Sequence, residues 1–228
     1  MNLYLCGGGS GKQITEALSK FSKKIDKTKP ILYVPLAMEE SKYNSCYDWF
    51  KEEIKNMDLT NFEMVKSSLE LSKKDFSNYS AIFIGGGNTY KLLNEIKQNS
   101  NYEKICHYLN TGGTIFGASA GAIIFGNDIN CCLLDDKNNV GLKDTKGFNL
   151  LNNYCILCHL KTKNMKKNYK YLEEYSKKYK LLYLPEEDVI LIENKKISII
   201  GNKKYIVFKN GKYQYHNFAN LKNDMNND

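Results

Sequence analysis

The stretch Thr114 to Phe125, TIFGASAGAIIF, passes from β-branched and aromatic residues through a cluster of small ones and back to apolar ones. The first part, TIF (114–116), reads as a buried strand, and residues 119–126 read as the helix that follows it. Between them, Gly117-x-Ser119-x-Gly121 fits a nucleophile elbow, a sharp turn that lifts a hydroxyl to the end of a strand while flanking glycines avoid steric clash. The same residues also fit a close-packed strand-to-helix corner with no chemistry. The rest of the chain must therefore supply a base, an acid and an oxyanion site.

Outward from this stretch, short apolar runs alternate with helix-period segments. NLYLC (2–6), ILYVP (31–35), AIFI (81–84), YCILC (154–158) and LLYLP (181–185) join TIF as strands buried on both faces. Residues 13–25, 43–57, 88–97, 101–110 and 164–179 read as further helices, with Ser41 and Asn88 near helix starts. This alternation predicts an α/β fold with a mostly parallel, doubly wound sheet flanked by helices. After Pro185 the pattern changes to DVILIEN, KISIIGN and KYIVFKNGKYQYH, a C-terminal antiparallel β-meander. We expect one domain over residues 1–219 and a polar tail over 220–228.

Composition narrows the function. With 228 residues and 42% apolar content, the chain suits a single large globular domain. It has no long apolar run and no secretion-signal pattern at its start, so no membrane partner and a cytoplasmic location are expected. Seven cysteines at irregular spacing argue against a disulfide framework, and Cys155 and Cys158 lie inside an apolar run with no second zinc-type pair, so no metal is expected. The formal charge is +8, but all 33 basic side chains are Lys, and acidic residues are interleaved with them. Without the bidentate fork of Arg, this charge is a solvated face and not a nucleic-acid surface.

Two glycine runs follow strands. CGGGSGKQ (6–13) fails as a phosphate-binding loop, since Cys6 stands where its first Gly belongs and Gln13 where its Ser or Thr belongs. GGGNTYKLL (85–93) ends a strand and starts a helix at Asn88, which clusters backbone N–H groups at the carboxyl edge of the sheet, where doubly wound folds bind ligands. The N–H groups of Gly86 or Gly87 and of Ala120 are therefore candidates to receive an oxyanion forming near Ser119. Among the three histidines, His107 lies within a helix, His216 near the end of the last β-segment, and His159 just past YCILC at the carboxyl edge. His159 is the candidate base. Glu186, directly after Pro185, is the candidate orienting acid, with Asp128, Asp135 and Asp136 as competitors from the loop after the nucleophile helix.

Taken together in this order, GGGNTYKLL, GASAGA, the strand ending in His159, and YLPEED resemble the dipeptidase E (α-aspartyl dipeptidase) family of serine peptidases, related to cyanophycinases and sharing the class I glutamine amidotransferase-like fold. The resemblance covers nearly the whole chain. It implies a Ser119–His159–Glu186 triad, hydrolysis of small peptides through an acyl-enzyme with a preference for Asp-Xaa dipeptides, no cofactor, and a supporting aspartate best matched by Asp135. Two positions depart from the family: Leu160 follows His159 where an aromatic residue is typical, and Glu187 stands where Gly is frequent. An acidic substrate residue would have to be met by Lys or by backbone and hydroxyl donors, since Arg is absent. Two other readings compete. An α/β-hydrolase esterase would have the chain order Ser, acid, His and would need His216 as base. A non-catalytic small-molecule sensor would keep the fold alone.

Overall fold

A computed structural model describes residues 1–160, 168–194 and 196–217. Its strands are β1 (Asn2–Cys6), β2 (Ile31–Val34), β3 (Phe62–Met64), β4 (Ala81–Ile84), β5 (Thr114–Ala118), β6 (Tyr154–Leu160), β7 (Lys180–Pro185), β8 (Val189–Glu193), β9 (Lys196–Ile200), β10 (Tyr205–Lys209) and β11 (Lys212–His216). The helices are α1 (Thr15–Lys24), α2 (Tyr43–Glu53), α3 (Ser68–Lys73), α4 (Thr89–Ile96), α5 (Asn101–Asn110), α6 (Ala120–Ile123) and α7 (Tyr169–Ser176).

The strands form a seven-stranded sheet in the order β3-β2-β4-β5-β1-β8-β9 and a four-stranded sheet in the order β11-β10-β7-β6. From β3 to β1 the larger sheet is parallel, and β8 and β9 continue it antiparallel. The central strands β1, β2, β4 and β5 are buried on both faces because both faces are covered. Leu3, Leu5, Ile82, Ile84 and Ile115 join one buried cluster with residues of α4, α5 and α6, while Tyr4, Phe83 and Phe116 join another with residues of α1 and α2. This alternation along each strand is what a pleated sheet between two helical layers requires.

The mixed architecture agrees with the pattern of the sequence, but the strands are shared out differently. YCILC and LLYLP do pair in parallel, as β6 and β7, yet they belong to the second sheet. The C-terminal antiparallel strands are likewise divided: β8 and β9 complete the larger sheet, and the β10–β11 hairpin joins β7. That hairpin turns at Asn210 and Gly211, both with positive φ, as its two-residue loop demands. The strand β3 and helix α3 lie in a stretch where no periodic pattern was read. Residues 43–57 continue beyond α2 as a 3₁₀ turn over Ile54–Met57, and of the segment 164–179 only the part from Asn168 onward lies within the described residues. The tail expected at 220–228 lies outside them. No helix among the described residues is long and apolar enough to cross a membrane.

Candidate active site

Ser119 follows β5 directly and caps α6 with φ 53° and ψ −113°, a conformation that side chains other than Gly rarely adopt. The turn is held where it is by its neighbours: its N–H donates to the Cys6 carbonyl at 3.1 Å, and its carbonyl accepts from Ala122 and Ile123. The flanking glycines are needed for close approach. A Cβ on Gly117 would lie 2.2 Å from the Gly121 carbonyl oxygen, and one on Gly121 would lie 2.2 Å from that of Ile84.

His159 lies near the end of β6, where the pairing with β7 shifts between Leu157 and Leu160. Leu157 pairs with Tyr183 and Leu160 with Pro185, so the strand carries one extra residue, a bulge. Within it His159 takes φ 64°, its N–H donates to the Gly7 carbonyl at 2.8 Å, and its ring turns toward Ser119. The ring fills the space above Gly8, where a Cβ would meet Cε1 at 2.3 Å. Glu186 comes directly after β7, and its carbonyl accepts from the Gly9 N–H at 2.8 Å.

These placements connect three side chains. Ser119 Oγ lies 2.7 Å from His159 Nε2, and His159 Nδ1 lies 2.9 Å from Glu186 Oε1. Ser119 comes from the larger sheet and the other two from the smaller one, whose His159 and Glu186 bond through their backbones to Gly7 and Gly9, directly after β1. Gly86 lies against Ser119 as well, since a Cβ there would sit 3.1 Å from that of Ser119. Asn88 caps α4 by accepting from the Lys91 N–H, as its position in the sequence suggests.

The loop aspartates sit elsewhere. Asp128 is buried and accepts from the Asn130 N–H, Thr145 Oγ1 and Tyr175 Oη, tying its loop to α7. Asp135 accepts from the Asn168 amide at 3.3 Å. Asp136 accepts from both the N–H and the hydroxyl of Thr89, at 2.8 and 2.6 Å, and so anchors the start of α4 just after the Gly85–Gly87 turn. His107 borders a cavity of about 500 Å³ at the amino ends of the strands, and His216 stacks on Tyr205 in the smaller sheet. The CxxC pair is buried, which pushes the Cys155 thiol up to about 11 and that of Cys158 well above its ordinary value.

A second cavity, about 430 Å³, opens beside Ser119 and His159 and is lined by Gly86, Gly87, Tyr33, Trp49, Phe83 and Glu53 among others. Its size suits a small ligand. The aromatic residues and Glu53 escaped the reading of the sequence. The signal available was the helical spacing of Lys42, Cys46, Trp49 and Glu53, which puts them on one face of the α2 segment.

A model of peptidase family S51 matches residues 3–200. The chain belongs to this family, and it is a serine-type peptidase. An uncharacterized peptidase of Listeria innocua is 25% identical over 205 residues, covering 86% of this chain and 94% of that protein. Another, from Pasteurella multocida, is 25% identical over 176 residues, covering 73% and 83%. Among solved structures, a candidate peptidase E from Listeria monocytogenes superposes with a TM-score of 0.70 at 22% identity, over 87% of this chain and 97% of that one. A peptidase from an acI-B1 actinobacterium gives a TM-score of 0.70 at 17% identity, over 94% and 93%. At these identities the two structures establish a shared fold.

Proposed function

We propose that this S51 peptidase hydrolyses short, unblocked peptides through an acyl-enzyme on Ser119, with His159 as general base and Glu186 as its orienting acid. The observation that carries the reading is the hydrogen-bonded line from Ser119 Oγ through the His159 ring to Glu186, 2.7 and 2.9 Å long. Ser119 attacks the peptide carbonyl as His159 Nε2 takes its proton, while the Glu186 carboxylate fixes the ring tautomer and stabilises the imidazolium. The N–H groups of Gly86 or Gly87 and of Ala120 stabilise the oxyanion. His159 then gives the proton to the departing amine, and water resolves the ester by the same steps in reverse order. Asp136, through Thr89, positions the Gly86–Gly87 turn; Asp135 remains the supporting acid that the family resemblance suggests.

A short peptide as substrate is favoured by the size of the cavity beside Ser119. A reducing cytoplasmic setting accords with seven free cysteines, all buried except the half-buried Cys106. Assay of unblocked dipeptides, their N-acetylated forms and casein tests the reading. Cleavage of the dipeptides is expected, whereas internal cleavage of casein without dipeptide hydrolysis would overturn it.

A further inference from the structure

The cavity beside Ser119 holds a buried carboxylate that the acyl-transfer steps do not use. Glu53, at the end of α2, is only 5% exposed yet lines the cavity. Its oxygens accept from the Gly11 N–H at 2.9 and 3.2 Å and from the Asn56 amide at 3.4 Å. No cationic side chain among the described residues lies within ion-pair distance of it. A carboxylate has about four acceptor positions, so one N–H and one long amide contact leave capacity unfilled. Burial pushes this carboxyl up against those two contacts, a sign of incomplete compensation.

The surroundings favour one kind of guest. Tyr33, Trp49 and Phe83 also line the cavity, with the Trp49 ring 6.3 Å from each of the other two, and Trp49 is 39% exposed. Aromatic faces attract ammonium and guanidinium groups and pack on their aliphatic stems. The lysine that lines the cavity, Lys42, lies on the exposed start of the same helical stripe, eleven positions before Glu53 and so roughly 16 Å away along the axis.

We infer that Glu53 is a specificity-determining residue that receives a cationic group of the substrate at the aromatic-walled end of this cavity. The inference rests on Ser119 being the nucleophile of a peptidase. The cation is an ammonium or guanidinium, supplied either by the free amino terminus of a peptide or by a Lys or Arg side chain. An acidic side chain placed there meets like charge, whereas the α-ammonium of any unblocked peptide does not.

Four p-nitroanilides separate the sources: Lys and Leu derivatives, each with a free or an acetylated α-amine. At least one kind of cation should raise kcat/KM over the acetyl-Leu compound by about tenfold or more, mainly through KM, the scale of one charge-assisted hydrogen bond. Dependence on the α-amine assigns the amino terminus, and dependence on Lys assigns the side chain. Glu53→Gln keeps an acceptor for the Gly11 N–H and should bring the ratio close to one. In the wild-type protein, benzylammonium should slow fluorophosphonate labelling of Ser119 more than benzyl alcohol does, a readout independent of any variant and of turnover. Labelling and turnover with no preference for a cation, or a preference untouched by Glu53→Gln in a folded protein, would overturn the role of Glu53 alone. Absence of labelling at Ser119 would instead overturn the peptidase reading beneath it.

Discussion

Two of the three residues in the Ser119–His159–Glu186 line occupy backbone conformations that their side chains disfavour: Ser119 at φ 53° and His159 at φ 64°. Each such residue costs on the order of 1–3 kcal/mol and persists only where its surroundings over-determine it. Here the surroundings are the Cys6 and Gly7 carbonyls, which accept from the two backbone N–H groups. The line of side chains should therefore be sensitive to small displacements. Gly8→Ala puts a methyl group 2.3 Å from the His159 ring at a φ of +121°, and moving the ring by even about 1 Å should lower kcat about 10²-fold or more. Steady-state kinetics with a circular-dichroism control for folding checks this. Glu186→Gln preserves shape but removes the charge that favours the imidazolium. Its kcat should fall about 10²–10⁴-fold, and a near-normal kcat would move the orienting role to another acid.

Among the elements, α4 shows how a loop can act on the site from a distance. Asp136 holds both the N–H and the hydroxyl of Thr89 at the start of this helix, directly after the glycine turn beside Ser119. Asp136→Ala should lower stability by about 1–2 kcal/mol, read as a drop in Tm, and should lower kcat while leaving fluorophosphonate labelling at Ser119 detectable. This contact was not legible in the sequence, because three aspartates share the loop and only its folded path brings Asp136 to Thr89. Ser119, His159 and Glu186 were legible for the opposite reason. Each stands at or near the carboxyl end of a short apolar run, and although β6 and β7 form a second sheet, their carboxyl ends bond to Gly7 and Gly9 beside Ser119. The division into two sheets was not legible, since β6 and β7 are as apolar as the strands of the larger sheet. Their exclusion from it depends on β8 taking the edge of β1, a long-range pairing without a local signal. The lining of the cavity was not legible because helical periodicity marks 43–57 as a helix but does not show which space Trp49 and Glu53 border.

Over the whole molecule, the two sheets are joined where Gly7–Gly9 bonds to His159, Glu186 and Asp188. Asp188 is fully buried with one carboxylate oxygen unpartnered among the described residues, and burial pushes its pKa from 3.8 up to about 6. Between these values the folded protein holds a proton that the unfolded chain releases, so stability should fall as pH rises from about 4 to about 6 and stay lower above that. The loss is on the order of 2–3 kcal/mol, and Asp188→Asn should remove it, raising Tm at pH 7–8 relative to the wild type but not at pH 4. Equal Tm gains at both pH values would assign the effect to packing. Under the proposed function, side chains from two sheets act as one catalytic unit. The most direct measurement is the rate and position of fluorophosphonate labelling, followed by peptide mass spectrometry, in the wild type and in Ser119→Ala, His159→Ala and Glu186→Gln. We predict a single labelled residue, Ser119, with labelling abolished in Ser119→Ala and slowed at least about 10²-fold in His159→Ala and measurably in Glu186→Gln. Labelling at another serine, or at Ser119 with an unchanged rate in His159→Ala, would contradict the account.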